Sequence, residues 1–301
     1  MRLLTQLTYL DVVAKTGSIR KAAEQLNITS TALNRRILAF EEELGTPIFE
    51  RLPQGVRLNV AGEMVIQHIR RSMADLSKVT SQIADLQGYR SGHVKIAGGS
   101  EVIGGFLPRH IAHYRQQHQA VTFEILRRTP ELALSALQDY EADLSLIFGA
   151  VPPTEFQILA TVELPVMLAC ATSHPLALNE ELRLYDCQPY PAIMPAPGSG
   201  LYDLLYHAEK RKGIQLNHMI TSESFEFMAR YSAFEDAITF VLPFHDDQNE
   251  RMAFLPFKAN EAMTGRLHLV QTKGRVLPVA AAKFAEDIIQ YFNNAFPNAT
   301  N

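Results

Sequence analysis

Between Ser18 and Phe40 the chain reads SIRKAAEQLNITSTALNRRILAF, two short amphipathic segments joined by a polar turn, and few arrangements satisfy that pattern. Ser18 suits a helix cap, Ala22, Ala23 and Leu26 recur at helical spacing, and Asn27 tolerates the left-handed backbone that ends a helix. Thr29 or Ser30 caps the next helix, in which Ala32, Leu33, Ile37 and Phe40 form an apolar stripe while Thr31, Asn34, Arg35 and Arg36 point outward. An ordinary helical hairpin inside a core fits the same periodicity. The outward face favours a different use. Small and amide side chains in the first turns suit base edges, and the guanidinium groups beside them suit phosphates, as in a helix laid into the major groove of DNA.

The next residues narrow the choice. Leu44-Gly45-Thr46-Pro47 stops the helix, and Ile48-Phe49-Glu50-Arg51, Pro53-Gln54-Gly55 and Val56-Arg57-Leu58 read as two strands with their turn. Arg51 and Arg57 flank that turn, placed to lie along a DNA backbone, although arginines on a surface hairpin are commonly only solvated. Residues 3 to 63 thus resemble the winged helix-turn-helix of LysR-type transcriptional regulators. Leu7 to Phe49 carries that family's order of Gly17-Ser18, Ala22-Ala23, Leu26, Ala32, Arg35-x-Ile37, Glu42, Leu44-Gly45 and Ile48-Phe49-x-Arg51, and Leu58-Asn59-Val60-Ala61-Gly62 is similar to its closing run. The expected DNA contacts are Ser30, Thr31, Asn34, Arg35, Arg36, Arg51 and Arg57. Thr31 stands where the family usually has Pro, and Asn34 where it usually has Ser. Asn can hydrogen-bond adenine in two places where Ser cannot, so these departures bear on the preferred operator sequence.

After the wing, Val65, Ile69, Ser72, Leu76, Val79, Ile83 and Leu86 step by alternating fours and threes, the spacing of a coiled-coil seam, with Asn59 as the cap. The helix is expected to pair with a second copy. That agrees with the dimerising linker helix of the family, and a dimer predicts promoter DNA with two-fold character. The resemblance further implies a tetramer, with RNA polymerase as another candidate partner. Residues 1–60 carry 8 Lys and Arg against 6 Asp and Glu, whereas 91–301 carry 16 against 23, and the whole chain is at −4. Contact with DNA must therefore come from a local patch made bivalent by dimerisation. Gln6, Asp11 and Lys15 interrupt the apolar run that begins at Arg2-Leu3-Leu4, so a signal peptide is not expected, nor is a membrane span. The cytoplasm is the expected location.

Gly88-Tyr89-Arg90-Ser91-Gly92-His93 is expected to break the linker helix. Beyond it, β-rich runs at 94–97, 121–126, 144–148, 166–171 and 267–271 alternate with helices expected at 101–117, 131–138, 201–212, 224–232 and 278–293. This is an α/β pattern, with mostly parallel sheets and ligands at strand ends. The resemblance implies two Rossmann-like subdomains hinged over an effector cleft, as in a periplasmic binding protein. The expected layout is a winged helix-turn-helix at 1–58, a linker at 59–90 and an effector region at 91–301, its first subdomain at about 92–162 and 267–301 and its second at about 163–266.

Strand ends sketch the cleft. Gly99 and Ser100 open one helix, Pro197, Ser199 and Gly200 open another, and both starts are placed to hold a small anion, although Gly and Ser are also ordinary turn residues and Glu101 would repel one. Arg128 and Thr129, Phe148 and Gly149, and Ser222 and Ser224 complete the set. Of Arg127 and Arg128, at most one is expected to face the cleft. The family's Gly-rich stretch ending in Leu-Pro is only loosely kept from Ala233 to Pro243, and Phe234 and Phe240 would reshape that side. No cofactor is expected beyond a small-molecule co-inducer.

Two rival functions remain on the sequence. His110, His113 and His118 lack a further ligand at metal spacing, His245-Asp246-Asp247 reads as a loop, and no catalytic motif appears, so no enzyme is expected. A redox sensor would use Cys170, which sits in an apolar run, or Cys187, expected in a polar loop. A solute-binding module would use the N-terminal hairpin only for protein contacts.

Overall fold

The computed structural model describes residues 2–86, 91–152, 155–244 and 251–296, in two compact units, Met1–Thr80 and Ser81–Asn301. The helix break expected over Gly88-Tyr89-Arg90 and the loop expected at His245-Asp246-Asp247 lie outside the described residues.

The first unit is built on α1 (Arg2–Thr16), α2 (Ile19–Gln25), α3 (Ser30–Leu44), β1 (Phe49–Leu52) and β2 (Gly55–Leu58), and leads into α4 (Val60–Leu86). Ser18 accepts the Lys21 N–H at the start of α2, Asn27 takes φ 54° in the turn, and Thr29 accepts the Ala32 N–H to cap α3. Satisfying such end groups is worth about 1 kcal/mol per cap. Leu33 and Ile37 enter a core made with Leu10, Val13, Ala22, Ala23, Ile48, Ile66 and Ile69, whereas Ala32, expected on that stripe, is exposed. The wing is fastened at two points. Glu41 Oε1 accepts the N–H groups of Ile48 at 2.7 Å and Phe49 at 3.1 Å, and the Val56 N–H donates to the Gly17 carbonyl at 2.8 Å.

Asn59 Oδ1 accepts the Gly62 N–H at 2.8 Å and so caps α4. The seam expected along this helix is divided. Ile69 is buried in the first unit's own core, with Val65 packed against it, because the first turns of α4 also close that core. Leu76, Val79 and Ile83 remain 41%, 48% and 51% exposed.

The second unit begins with β3 (Gly92–Gly98), α5 (Ser100–Ile103), α6 (Phe106–Gln117), β4 (Val121–Arg127), α7 (Pro130–Gln138) and β5 (Leu144–Phe148). It continues through β6 (Phe156–Pro165), β7 (Met167–Ala171), β8 (Pro191–Pro195), α8 (Gly200–Lys212), β9 (Asn217–Ser222), α9 (Phe225–Tyr231) and β10 (Ile238–Val241). It ends with β11 (Met252–Pro256), β12 (Thr264–Thr272) and α10 (Val279–Ala295). Two five-stranded sheets result, ordered β4-β3-β5-β12-β6 and β11-β7-β10-β8-β9. They are mixed and not mostly parallel. β3 pairs in parallel with β4 and β5, as β8 does with β9 and β10, but β12 runs antiparallel to β5 and β6, and β7 antiparallel to β10 and β11. The reason is that the chain leaves the first sheet along β6 and returns along β12, which lie side by side, and the Val166 N–H bonds the Met263 carbonyl at 2.7 Å where they cross between the sheets. Helix α10 covers the first sheet with Phe284, Ile288 and Phe292, each fully buried.

Gly55 has φ 148°, and a Cβ there would overlap the Gly17 carbonyl oxygen. Gly55→Ala is therefore expected to lower the stability of the first unit by about 1–3 kcal/mol. Hydrogen-exchange mass spectrometry should show faster exchange in α1 and α3; unchanged protection would mean that the wing is not fastened there.

Candidate functional site

Two regions carry exposed chemistry, one in each unit. In the first, burial of Leu33 and Ile37 sets the rotation of α3 and leaves Thr31 and Arg35 exposed on its opposite side, with Ser30 exposed where the helix starts. Arg35 has no ion pair or hydrogen bond among the described residues, so its charge is available to an outside anion. Asn34 is half-buried, and its Oδ1 accepts from Arg51 Nη2 of the wing at 2.8 Å. That bond fixes the amide's orientation and leaves its NH2 to donate outward. The sequence placed both residues in the set but gave no sign that they were joined.

The other two arginines are already engaged. The Arg36 guanidinium lies 4.9 Å from the centre of the Tyr9 ring, a cation–π contact that turns it toward α1. Arg57 Nη2 is 2.7 Å from Glu50 Oε2 across the wing, and this hydrogen bond and charge raise the Arg57 pKa further. The pair is exposed, so water and salt compete for it, and it can open for a phosphate at little cost.

In the second unit a cavity of about 330 Å³ lies between the two sheets' helices and loops. The start of α5 supplies Gly99, Ser100 and Glu101; the end of β4 supplies Arg127, Arg128 and Thr129; the other subdomain supplies Pro197, Gly198, Ser199, Ser222, Glu223 and Phe225. Bonds already cross it: the Phe225 N–H donates to Ser100 Oγ at 3.4 Å, and Arg127 Nη1 donates to the Glu223 carbonyl at 3.3 Å. Both arginines line the cavity, against the expectation of one. The strand ends at Arg127, so the alternation of strand side chains no longer governs Arg128, whose Nη1 reaches the Arg127 carbonyl at 3.0 Å. Glu101 is 2% exposed, and burial raises its pKa, with its own backbone N–H partly opposing that shift.

Several expected cleft residues do other work. Phe148 is buried, and Gly200 touches its carbonyl so closely that no Cβ fits, which packs the start of α8 on the end of β5. Gly149 gives its N–H to the Arg266 carbonyl, and Ser224 caps α9 through the Phe227 N–H, so none of these four lines the cavity. Ser199 lines it, although its hydroxyl also caps α8 through the Tyr202 N–H. Phe240 stacks on Phe257 inside the second subdomain and Phe234 is 79% exposed, so neither reshapes the cleft. Pro130, Leu132 and Ala196 line it without any chemical signature that could have marked them.

Of the three histidines in and just after α6, two are used in packing. His110 stacks on Phe106 and sits 2.9 Å from Asp287, His118 packs on Tyr114, and His113 is exposed. Both cysteines are buried, Cys187 included, because its expected loop is a short 3₁₀ turn folded into the core. Burial pushes the Cys170 thiol up to about 11 and the Cys187 thiol up to about 12, the wrong direction for a reactive thiolate. No described helix is long and apolar enough to cross a membrane.

Comparison with known proteins agrees with both units. Residues 4–63 match the bacterial regulatory helix-turn-helix proteins of the lysR family, and residues 87–293 match the LysR substrate binding domain. The chain is 27% identical over 201 residues to the HTH-type transcriptional activator CmpR of Synechocystis, a match spanning 65% of this chain and 64% of that protein's length. It is 24% identical over 289 residues to YybE, an uncharacterized HTH-type transcriptional regulator of Bacillus subtilis, covering 96% of this chain and 98% of that one. The crystal structure of full-length CbnR complexed with its target DNA shares the fold, with a TM-score of 0.66 at 18% identity over 96% of this chain and 99% of that one. From the winged helices at one end to the paired sheets at the other, this chain belongs to the LysR family.

Proposed function

We propose that the protein is a DNA-binding transcriptional regulator, acting in the cytoplasm on promoter DNA, with a small molecule in the cleft of its second unit as effector. The observation that carries the reading is the outward face of α3, where exposed Ser30, Thr31 and Arg35 adjoin an Asn34 amide held by Arg51. Side chains held in this way suit base-edge contacts, and Arg35 suits a phosphate. Arg57 joins them once it parts from Glu50.

The exposed Leu76, Val79 and Ile83 of α4 supply the second support. They keep the three-four spacing of a seam and gain stability when covered by a second copy, by about 1.5–3 kcal/mol for each side chain fully buried. The resulting homodimer presents two α3 helices to one duplex, and pairing of dimers gives the tetramer that the family resemblance implies. The effector acts by preferring one arrangement of the two subdomains, since a ligand moves an equilibrium only by its differential affinity for the two states. The buried thiols argue against a redox sensor.

Three outcomes are expected. Arg35→Ala weakens binding to every duplex and lowers the slope of log K against log salt by about one per protomer, read by fluorescence anisotropy. Asn34→Ser instead reduces discrimination at one operator position by about 1–3 kcal/mol, read by selection from random duplexes. Val79→Glu with Ile83→Glu shifts the protein to monomer in light scattering and removes the two-fold character of the bound site; a variant that stays dimeric would exclude this seam.

A further inference from the structure

We infer that the cleft takes a zwitterion, a small molecule bearing both an ammonium and a carboxylate such as an α-amino acid, and that Glu101 selects the ammonium. This rests on the reading of the cleft as the effector site and names the class of molecule it admits.

The argument starts from an acid in an unusual place. Glu101 is 2% exposed, lines the cavity and has no ionic partner among the described residues. Its carboxyl is folded over the Cα of Gly99, in the space a Cβ would fill, and is bonded to its own backbone N–H. The protein's own carboxyl thus occupies the ground where a ligand carboxylate would have to approach the start of α5. A second carboxylate placed against it would meet a like charge with little water to screen it. An ammonium there gains a buried acid as its partner, and the acid gains the counter-charge it lacks.

The opposite charge is supplied elsewhere in the same cavity. Arg127 and Arg128 line it from the end of β4, and with Glu101 and Glu223 the lining holds two groups of each sign. Guanidinium groups match carboxylates in shape as well as charge. A simple anion would use the arginines and leave Glu101 buried without a counter-charge; a simple amine would do the reverse. A zwitterion answers both. The volume, about 330 Å³, lies at the small end of ligand sites, which run from about 300 to 1,000 Å³. The hydroxyl of Thr129, which makes no cap bond to α7, is left to orient the molecule between the two poles.

The test uses the full chain, with thermal shift followed by calorimetry, on three matched sets: the twenty L-amino acids, the acids of the same skeletons without the amine, and the amines without the carboxylate. At least one amino acid is expected to bind ten or more times as tightly as both of its matched partners. Glu101→Gln is expected to lose at least tenfold of that affinity, with a ligand-free melting temperature no lower than that of the unaltered protein, because a buried charge has been removed. Arg128→Gln should lose the preference for the carboxylate but keep that for the amine. Should Glu101→Gln fail to fold, the comparison of amino acid with matched acid on the unaltered protein decides alone. Deaminated acids binding as tightly as their parents would overturn the zwitterion while leaving the effector cleft in place. Binding by no member of the three sets would overturn both.

Discussion

The rotation of α3 about its own axis is the constraint on which the first unit depends. Leu33 and Ile37 are almost completely buried, and a helix with two such anchors one turn apart has no freedom to roll. Everything outward follows from that. Thr31 and Arg35 face solvent because they lie on the other side of the same turns, and the wing, tied by Glu41 to its strand and by Val56 to Gly17, brings Arg51 to Asn34. The reading face is thus assembled by the core beneath it and by a hairpin beside it.

The second unit applies another kind of constraint. Its two sheets are joined by β6 and β12, and Gly200 against Phe148 sets how closely the start of α8 approaches the first sheet. A cleft walled by both subdomains, with bonds from Phe225 to Ser100 and from Arg127 to Glu223 already across it, is sensitive to anything that adds or removes an interaction between them. Glu101, Glu223, Arg127 and Arg128 line it together, and the proposed zwitterion would be selected by that charge pattern more than by volume.

The helix-turn-helix was legible because its signals are local: caps, a residue able to take positive φ, and apolar spacing lie within a few positions of one another. Cleft residues were legible wherever a strand end coincided with a polar or glycine turn, as at Gly99-Ser100 and Pro197 to Ser199. Pairing was much less so. β6 carries exposed Gln157, Ile158 and Glu163 among its inward residues, which blurs its alternation, and β10 is only four residues long, so its apolar run is too short to mark a strand on its own. The bond of Arg51 to Asn34 and the cation–π contact of Arg36 with Tyr9 join residues far apart in sequence, which spacing alone does not show. The seam of α4 reads as one stripe because periodicity reveals which residues share a face; it does not reveal that the first unit's own core takes Val65 and Ile69 while Leu76, Val79 and Ile83 stay exposed.

Methylation interference tests the central claim, that α3 enters the major groove twice on one duplex. A duplex selected by the full-length protein from a random pool is methylated at guanine N7, which lies in the major groove, and at adenine N3, which lies in the minor groove, and the bound and unbound fractions are compared. The expected result is two clusters of interfering guanines, related by two-fold symmetry and separated by about one helical turn or a multiple of it. Interference confined to minor-groove positions, or a single cluster with no symmetric partner, would contradict it.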